Sequence, residues 1–460
     1  MNHQKIFFWS ITVALAGFLF GFDTVVISGA DQALQELWNV DLRLFGGSIH
    51  LSPELFHGTV VMGTALMGTV IGAILGGIPT DRFGRKKTLL GIGLLYFISA
   101  VGSALANDPY IFGLFRFVGG LGVGASTVAA PAYISEIAPS ERRGRLVALY
   151  QFNIVFGILL AFISNYLLRG VGTEPWRWMI GAEAFPAFIY TIMVFTIPNS
   201  PRWLLTYKGD REGASEVLKM INLEEDPKVM LQQIEEDQNQ VDKSESIFQA
   251  RYRILLILAF LIAFFNQLSG INAFLYYAPR IFEAAGLGES TALLSSIGIG
   301  VANLIFTLLG LYLIDKLGRK ILMYIGSVGY IVSLGMVAVA FFLSWQGLAI
   351  PIFLFLFIAS HAIGQGAVIW VFISEIYPNH LRAYGQSFGS STHWVLAWLI
   401  TTFMPAVLAR VSNPGYVFAF FSGMMVLQLL FVWRMMPETK GVPLEELQDK
   451  LLRNKPSLSA

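Results

Sequence analysis

Twelve apolar stretches of membrane-spanning length constrain this chain more than any other feature. A helix needs about 20 predominantly apolar residues to cross the hydrocarbon core of a bilayer. Charged residues, prolines and glycines separate the stretches. We predict spans near residues 6–29, 57–79, 88–106, 110–135, 146–168, 177–197, 253–279, 290–313, 320–344, 348–373, 383–409 and 415–436. The predicted fold class is therefore an all-α membrane protein with twelve transmembrane helices.

The composition excludes several other classes of protein. Only 13% of the residues are charged, against about 25% in an ordinary soluble domain. The formal net charge of +1 provides no basic excess for nucleic acid. The absence of cysteine removes disulfides, thiolate metal sites and cysteine nucleophiles. His361 and His393 have no second ligand at metal spacing, and no nucleophile and base stand together, so we expect no metal, no cofactor and no enzyme.

The basic residues predict the orientation of the chain. Lys and Arg clusters follow spans 2, 4 and 8, at residues 82–87, 142–145 and 316–320. If the spans alternate in direction, these loops share one face, which the positive-inside rule makes cytoplasmic. Both termini then lie in the cytoplasm, together with the polar segment 198–250, in which we expect short amphipathic helices. The expected location is a plasma membrane, the inner membrane of a bacterium, with the lipid bilayer as a partner.

Three motifs recur in the same order. DRFGRKK at residue 81 is repeated as DKLGRK at 315, ISEIAP at 134 as ISEIYP at 373, and PNSPR at 198 is echoed by PETKG at 437. The offsets are 234, 239 and 239 residues, which indicates two parallel six-span halves. We predict bundles over 1–197 and 253–436, a cytoplasmic linker over 198–252 and a tail over 437–460.

These motifs carry a resemblance to a known family. GFDTVVISG, RFVGGLGVG, SEIAPSERRGR, PNSPRWL, NQLSGINAFLYYAP and PETKG stand in register with the repeats. Together they resemble the sugar porter family of the major facilitator superfamily over essentially the whole chain. Bacterial members that are similar transport D-xylose or hexoses with protons. The resemblance implies proton-coupled import of a monosaccharide, hexose or pentose, by alternating access, and we expect a functional monomer.

Asp23 is the candidate proton-coupling group. A carboxylate inside an apolar span costs several kcal/mol unless it is paired, protonated or facing water. Arg116 is the cation of spans 1–6 best placed to meet it, and Glu183 in span 6 is a candidate modulator. The resemblance agrees, because symporters of this family carry Asp at this position and many uncoupled members carry Asn. The alternative is a static ion pair that holds spans 1 and 4 together.

Charged residues at the span ends suggest a cytoplasmic gate. Arg85 can donate a bidentate bond to a carboxylate, and Arg319 repeats it in the second half. The family resemblance implies a salt-bridge network that forms when the carrier is open to the outside. The alternative is that the basic residues only set topology. The candidate gate residues are Asp81, Arg85, Glu136, Arg142, Asp315, Arg319, Glu375 and Arg382.

Span 7 carries the polar side chains expected of a sugar site. Gln267 and Asn272 are five residues apart, which on an intact helix directs them about 140° from each other. Unwinding at Gly270 would bring them together, and interrupted helices are common in carriers. By family correspondence the substrate-binding residues are Gln151, Gln267, Asn272, Asn303, Trp370 and Trp394. For the amides of Gln151 and Asn303, interhelical hydrogen bonding is the alternative.

The chain departs from the family pattern near this site. Asn266 stands where many members have a second Gln, Ile158 replaces another Gln, and His393 stands where an amide is common. The stretch GQGAVIW, which ends at Trp370, stands where many members have a Pro-rich stretch before the Trp. In PNSPR, Asn199 stands where the family usually has Glu. The family resemblance therefore does not decide between a hexose and a pentose. Two alternatives to symport also stay open: an uncoupled facilitative sugar transporter and a sugar-sensing membrane receptor.

Overall fold

The computed structural model describes residues 3–44, 49–138, 143–221, 226–239, 246–345, 347–378 and 381–442, with 447 and 451. Within these ranges twelve helices are long and apolar enough to cross a membrane. Spans 1 to 6 are Gln4–Gly29, Pro53–Leu75, Arg85–Leu105, Pro109–Ile137, Arg145–Leu168 and Pro175–Phe195. Spans 7 to 12 are Ala250–Ala284, Glu289–Leu317, Arg319–Phe342, Ala349–Ile376, Tyr384–Arg410 and Gly415–Arg434. The prediction of twelve transmembrane helices is confirmed.

The regular elements follow the chain in this order. The α-helices up to span 6 are His3–Val26, Asp31–Leu37, Pro53–Phe56, Gly63–Leu75, Gly77–Arg82, Arg85–Leu105, Pro109–Ile137, Arg143–Leu168, Pro175–Gly181 and Ala184–Phe195. Those of the linker are Pro201–Thr206, Arg211–Ile221 and Pro227–Asn239. Those from span 7 onward are Arg253–Gln267, Ile271–Ala284, Glu289–Leu317, Arg319–Phe342, Ala349–His361, Ala367–Ile376, Arg382–Arg410 and Gly415–Arg434.

Shorter elements interrupt or join these helices. The 3₁₀ turns are Ile27–Gly29 and Ala250–Tyr252, and π-helical segments occupy His57–Met62 in span 2 and Ala362–Gly366 in span 10. Strands Leu42–Leu44 and Ile49–Leu51 form an antiparallel hairpin between spans 1 and 2.

Helix caps explain where two elements begin. The carboxylate of Asp108 accepts from the backbone N–H groups of Tyr110 and Ile111, at 2.9 and 3.1 Å, and Pro109 occupies the first helical position of span 4. Ser200 caps the first linker helix in the same way, by accepting from the N–H of Trp203 at 3.1 Å. Both caps satisfy backbone donors that have no partner inside the helix.

The described helices group into two compact units. Unit 1 comprises residues 1–241 with 275–277 and 401–406, and unit 2 comprises 242–274, 278–400 and 407–460. In unit 1, spans 2 and 4 approach through glycines. A Cβ atom at Gly120 would collide with the carbonyl oxygen of Ala65, and one at Gly124 with the carbonyl oxygen of Thr69. The two backbones therefore touch directly, as rows of small residues permit.

In unit 2, buried amides join spans 9, 10 and 12. Nε2 of Gln365, in the π-helical segment, donates to Oε1 of Gln428 at 2.8 Å. Nε2 of Gln428 donates in turn to the hydroxyl of Ser327 at 2.8 Å. All three side chains are fully buried. These bonds fix the interior of unit 2 near the irregular part of span 10.

Candidate functional site

Unit 1 buries an ion pair between spans 1 and 4. Nη1 of Arg116 donates to Oδ1 of Asp23 at 2.5 Å, and Nη2 donates to the main-chain carbonyl of Asp23 at 3.2 Å. Arg116 is 0% exposed and Asp23 is 2% exposed. The structure thus brings together the two residues that the sequence suggested as partners. Their part in proton coupling stays a prediction.

Glu183 adds a second carboxyl group to this place. It is 0% exposed, and neither of its carboxylate oxygens has a hydrogen-bond partner among the described residues. It interacts electrostatically with both Asp23 and Arg116. The three side chains therefore combine one cation with two carboxyl groups. If both carboxyls were ionised, the group would carry one excess negative charge inside the protein.

Span 7 is interrupted where the sequence predicted. One helix ends at Gln267 and the next begins at Ile271, and Gly270 between them has φ +81°, a left-handed conformation that favours glycine. As a result Nδ2 of Asn272 donates to Oε1 of Gln267 at 2.8 Å. An intact helix would have directed these side chains apart. The predicted unwinding at Gly270 is confirmed.

A polar and aromatic cluster surrounds Gln267 in unit 2. Nε2 of Gln267 donates to Oδ1 of Asn266 at 2.9 Å and lies 3.1 Å from Nδ1 of His393. The imidazole of His393 packs between two indoles, with ring centroids 5.2 Å from Trp370 and 4.9 Å from Trp394. Amides that donate and accept, next to aromatic faces, are suited to the hydroxyls and C–H face of a sugar.

The structure also describes two further predicted sugar-site residues, one in each unit. Asn303 in span 8 is buried, and its Oδ1 accepts a 3.4 Å hydrogen bond from Thr307, one turn along the same helix. Gln151 belongs to unit 1, where it lies on span 5 and is half-buried. The intrahelical bond of Asn303 is compatible with either a structural or a substrate-binding role.

Within unit 1, an arginine cluster joins the end of span 4 to the start of span 3. Nε and Nη2 of Arg85 donate to Oε1 of Glu136 at 3.1 and 2.9 Å, and the hydroxyl of Ser200 donates to Oε2 at 2.5 Å. Asp81 forms a second ion pair with Arg85 at 3.1 Å, but its side chain is 46% exposed. The buried Arg85–Glu136 contact is therefore the stronger of the two.

Unit 2 repeats this cluster. Arg319 donates to both carboxylate oxygens of Glu375, at 3.0 and 2.6 Å, and the hydroxyl of Thr439 donates to Oε2 at 2.6 Å. Asp315 pairs with Arg319 at 3.3 Å, and its side chain is 80% exposed. Each predicted arginine thus meets the carboxylate at the end of span 4 or span 10 of its own unit.

Two of the predicted gate residues are not placed in these clusters. Arg142 lies outside the described residues. Arg382 is at the start of span 11, and its Nε has no hydrogen-bond partner in the described part of the chain. Glu375 is bound by Arg319 and Thr439.

Glu438 distinguishes the second cluster from the first. Its carboxylate accepts the backbone N–H groups of Arg319 and Lys320, both at 3.0 Å, at the start of span 9. It also accepts those of Thr439 and Lys440, at 2.9 Å each. Burial would raise the pKa of Glu438, but these four donors outweigh it and hold the pKa below its ordinary value. Asn199 occupies the equivalent repeat position in unit 1.

The hydroxyl groups of both clusters and the role of Glu438 were not predicted from the sequence. A signal was present, because Ser200 is the third residue of PNSPR and Thr439 is the third residue of PETKG. A buried contact between Asp31 and His57, whose Oδ1 and Nε2 are 2.7 Å apart, was not predicted either. Asp31 follows span 1 and His57 begins a π-helical segment, so no repeat or motif connected them.

Comparison with known proteins extends over nearly the whole chain. A family model described as sugar (and other) transporter matches residues 9–451. The chain is 33% identical to the D-xylose-proton symporter of Escherichia coli (strain K12), covering 97% of this chain and 96% of that protein. It is 34% identical to the arabinose-proton symporter of Bacillus subtilis (strain 168), covering 95% and 93%. The fold aligns with a solved structure of the xylose transporter XylE from E. coli in a partially occluded inward open conformation, with a TM-score of 0.83. The two sequences are 32% identical, and the alignment covers 96% of this chain and 100% of that one.

Proposed function

The chain belongs to the sugar transporter family, and we propose that it imports a monosaccharide together with protons by alternating access. It is a multi-pass membrane protein with the fold of the major facilitator superfamily. In this proposal Asp23 takes up and releases the proton, Arg116 is its ionic partner, and Glu183 modulates the pair. The substrate is a pentose or a hexose.

The observation that carries the proposal is the buried group formed by Asp23, Arg116 and Glu183. One guanidinium cannot balance two ionised carboxyls, and an unbalanced charge inside a membrane protein costs several kcal/mol. Uptake of one proton removes that excess. Loss of the proton becomes favourable when the group reaches water or when Arg116 approaches a carboxylate more closely. The arrangement therefore supports cyclic protonation.

The cluster around Gln267 supports the binding of a sugar in unit 2. Gln267 and Asn272 are brought together by the interruption of span 7, and their amides already exchange hydrogen bonds with Asn266 and His393. A sugar hydroxyl can replace these internal bonds at little net cost, since each amide both donates and accepts. Trp370 and Trp394 supply the apolar faces.

The arginine cluster of each unit supports a gate on the face of that unit that carries the basic loops. Each cluster ties span ends to the segment that follows the sixth or twelfth span, through Ser200 or Thr439. Their release accompanies the opening of that side. We assign this face to the cytoplasm from the basic loops. In this proposal both termini lie in the cytoplasm, and the protein lies in the inner membrane of a bacterium. The proposed functional unit is a monomer.

The decisive experiment is sugar uptake into proteoliposomes with and without an inward pH gradient, for wild type and Asp23→Asn. D-xylose, L-arabinose, D-glucose and D-galactose serve as substrates. We expect the wild type to accumulate one of them when the outside is acidic. Asp23→Asn should lose this accumulation and retain sugar binding and counterflow exchange. Glu289→Gln, which neutralises an exposed carboxylate at the start of span 8, is the matched control and should behave as wild type.

Two results would contradict the proposal in different ways. Wild-type uptake that equilibrates but never responds to the pH gradient identifies a facilitative transporter. Sugar binding without any uptake identifies a receptor. Retention of pH-driven accumulation by Asp23→Asn would leave symport in place but remove Asp23 as the coupling group.

A further inference from the structure

Buried hydroxyl groups lie beside the ion pair of unit 1. Tyr96 in span 3 and Tyr190 in span 6 are 0% and 1% exposed, and Tyr150 in span 5 is also buried. Tyr96 interacts electrostatically with Asp23, Glu183 and Tyr150. The hydroxyls of Tyr96 and Tyr190 have no hydrogen-bond partner among the described residues. Buried hydroxyl groups in proteins are almost always hydrogen-bonded, so this set needs an explanation.

Ser99 connects the hydroxyls to the carboxylate. A Cβ atom at Gly119 of span 4 would collide with Oγ of Ser99 and would lie 3.8 Å from Oδ1 of Asp23. Ser99 and Asp23 therefore both lie next to the Cβ position of the same glycine. Oγ of Ser99 is buried and also has no partner in the described ranges. Tyr96 precedes Ser99 by three residues on span 3, so the two lie on the same face of that helix.

Ser126 and Tyr150 continue the series. The hydroxyl of Ser126 donates to the carbonyl of Val123 at 2.7 Å, and its oxygen lies 3.1 Å from the Tyr150 hydroxyl. Because the Ser126 proton is already used, Tyr150 is the donor in the second contact. The Tyr96 hydroxyl lies near Ser126 without reaching hydrogen-bond geometry. From these neighbouring pairs we infer the order Asp23, Ser99, Tyr96, Ser126 and Tyr150.

The hydroxyl groups of this series lie progressively farther from Asp23, toward one face of unit 1. The ring of Tyr150 lies against Gly17 of span 1, where an added Cβ would be 3.0 Å from Cδ2. Gly17 precedes Asp23 by six residues, so the series descends about 9 Å along the helix at 1.5 Å per residue. Tyr96 is likewise nearer than Ser99 to the start of span 3 at Arg85. The hydroxyls thus lead from Asp23 toward the face that carries Arg85.

We propose that Ser99, Tyr96, Ser126 and Tyr150, bridged by water, conduct the coupling proton between Asp23 and the Arg85 face. This inference rests on the proposed symport. Water is the ligand that suits buried polar groups lacking a protein partner. Protonated Asp23 gives its proton to the first oxygen of the series, and each hydroxyl or water passes its own proton onward until a proton leaves to bulk water. For this step the Ser126 hydroxyl turns from the carbonyl of Val123 to Tyr150, and the Tyr150 hydroxyl turns from Ser126 to the next water. Every hydroxyl ends neutral, and Asp23 is left as the carboxylate paired with Arg116.

The alternative is that the tyrosines only fill space between spans 1, 3 and 5. In that case their phenyl rings matter and their hydroxyls do not. Phenylalanine keeps the ring and removes only the hydroxyl, so Tyr96→Phe and Tyr150→Phe separate the two readings. Tyr133→Phe is the matched control. Tyr133 is a fully buried tyrosine of the same unit whose hydroxyl donates to the carbonyl of Pro198 at 2.9 Å, outside the series.

The experiment compares two measurements on each variant in proteoliposomes. Sugar counterflow requires no net proton movement, whereas sugar-driven alkalinisation of a weakly buffered medium reports proton transfer directly. We expect Tyr96→Phe and Tyr150→Phe to slow sugar-driven proton uptake by about a hundredfold, the lower end of the effect of losing a proton-transfer group. Counterflow should keep the wild-type rate, because it requires no net proton transfer. Tyr133→Phe should leave the ratio of the two rates unchanged.

The outcomes distinguish this inference from the proposed function. Unchanged ratios in both Tyr96→Phe and Tyr150→Phe overturn the conducting series and leave symport intact. An equal loss of counterflow and proton uptake also overturns it, because that pattern indicates a packing role. A wild type that moves no protons with sugar overturns symport and the series together. A larger solvent deuterium isotope effect on proton uptake in the two variants, absent in Tyr133→Phe, supports the series independently.

Discussion

Replacing Gly270 with alanine tests whether the interruption of span 7 builds the sugar site. Gly270 has φ +81°, and a left-handed conformation costs a residue with a Cβ roughly 1–2 kcal/mol. The added Cβ would also lie 2.6 Å from Cε2 of Phe421 in span 12. Overpacking of that kind typically costs about 1–3 kcal/mol. The native arrangement of span 7 should therefore lose about 2–5 kcal/mol in Gly270→Ala by these two contributions.

The protein can relieve this strain by straightening span 7, which separates Gln267 from Asn272. Loss of two hydrogen bonds to a neutral sugar is worth about 1–3 kcal/mol, or a fivefold or greater rise in the dissociation constant. Calorimetry on the purified protein measures the affinity, and the thermal unfolding midpoint measures the strain. Gly423→Ala is the matched control, because nothing lies within 4 Å of the Cβ position in span 12. Alanine should leave that helix equally or more stable.

The reasoning is refuted if Gly270→Ala binds sugar as tightly as wild type and unfolds at the same temperature. A lower unfolding temperature with unchanged affinity would show that the strain is real but that Gln267 and Asn272 do not bind the sugar together.

Three further predictions concern the sugar cluster and the gate. Gln267→Ala and Trp370→Ala should each raise the sugar dissociation constant. For Gln267→Ala the rise should be about two- to thirteenfold, the effect of losing one hydrogen bond. Unchanged calorimetric affinity in both variants would place the sugar site elsewhere. Arg319→Gln should lower transport turnover while the sugar affinity stays within about twofold, because the Glu375 cluster biases conformational states without touching ligand; a selective loss of affinity would argue against the gate. The pKa of Glu438 is lowered in the folded protein. Ionised Glu438 therefore adds to the free energy of unfolding at pH values above its ordinary pKa of 4.5, and this stabilisation is lost as the pH falls through the lower pKa of the folded state. The wild type should therefore unfold at a higher temperature than Glu438→Gln at pH 7, and the difference should shrink below about pH 4.5; a difference that is constant with pH would contradict this.

The spans and the break at Gly270 were accessible from the sequence because each follows from a local rule. About 20 apolar residues suffice to predict a span, and a glycine within a polar stretch of span 7 suffices to predict an interruption. Asp23 and Arg116 could be paired because charges inside apolar spans are few, and each needs a partner. These features depend on residue type and spacing alone.

The remaining features depend on tertiary contacts that leave no local pattern. Tyr96 and Tyr150 count as apolar aromatic residues when a span is predicted. Only the fold places the Tyr96 hydroxyl near Asp23 and the Tyr150 hydroxyl beside Ser126. Glu438 acts through backbone N–H groups 118 and 119 residues away along the chain, which have no sequence signature. The π-helical segment His57–Met62 likewise shows no distinctive composition. Such contacts require the structure.

The glycine contact between spans 2 and 4 has a mechanical consequence. Because backbone meets backbone at Gly120 and Gly124, no layer of side chains between the two helices can compress or slide. Spans 2 and 4 therefore move together at this contact. Arg116 lies near one end of span 4 and Glu136 at its other end. A displacement of span 4 at Gly120 and Gly124 therefore has to carry span 2 with it, whereas Pro131 interrupts the hydrogen bonding of the helix between this contact and Glu136.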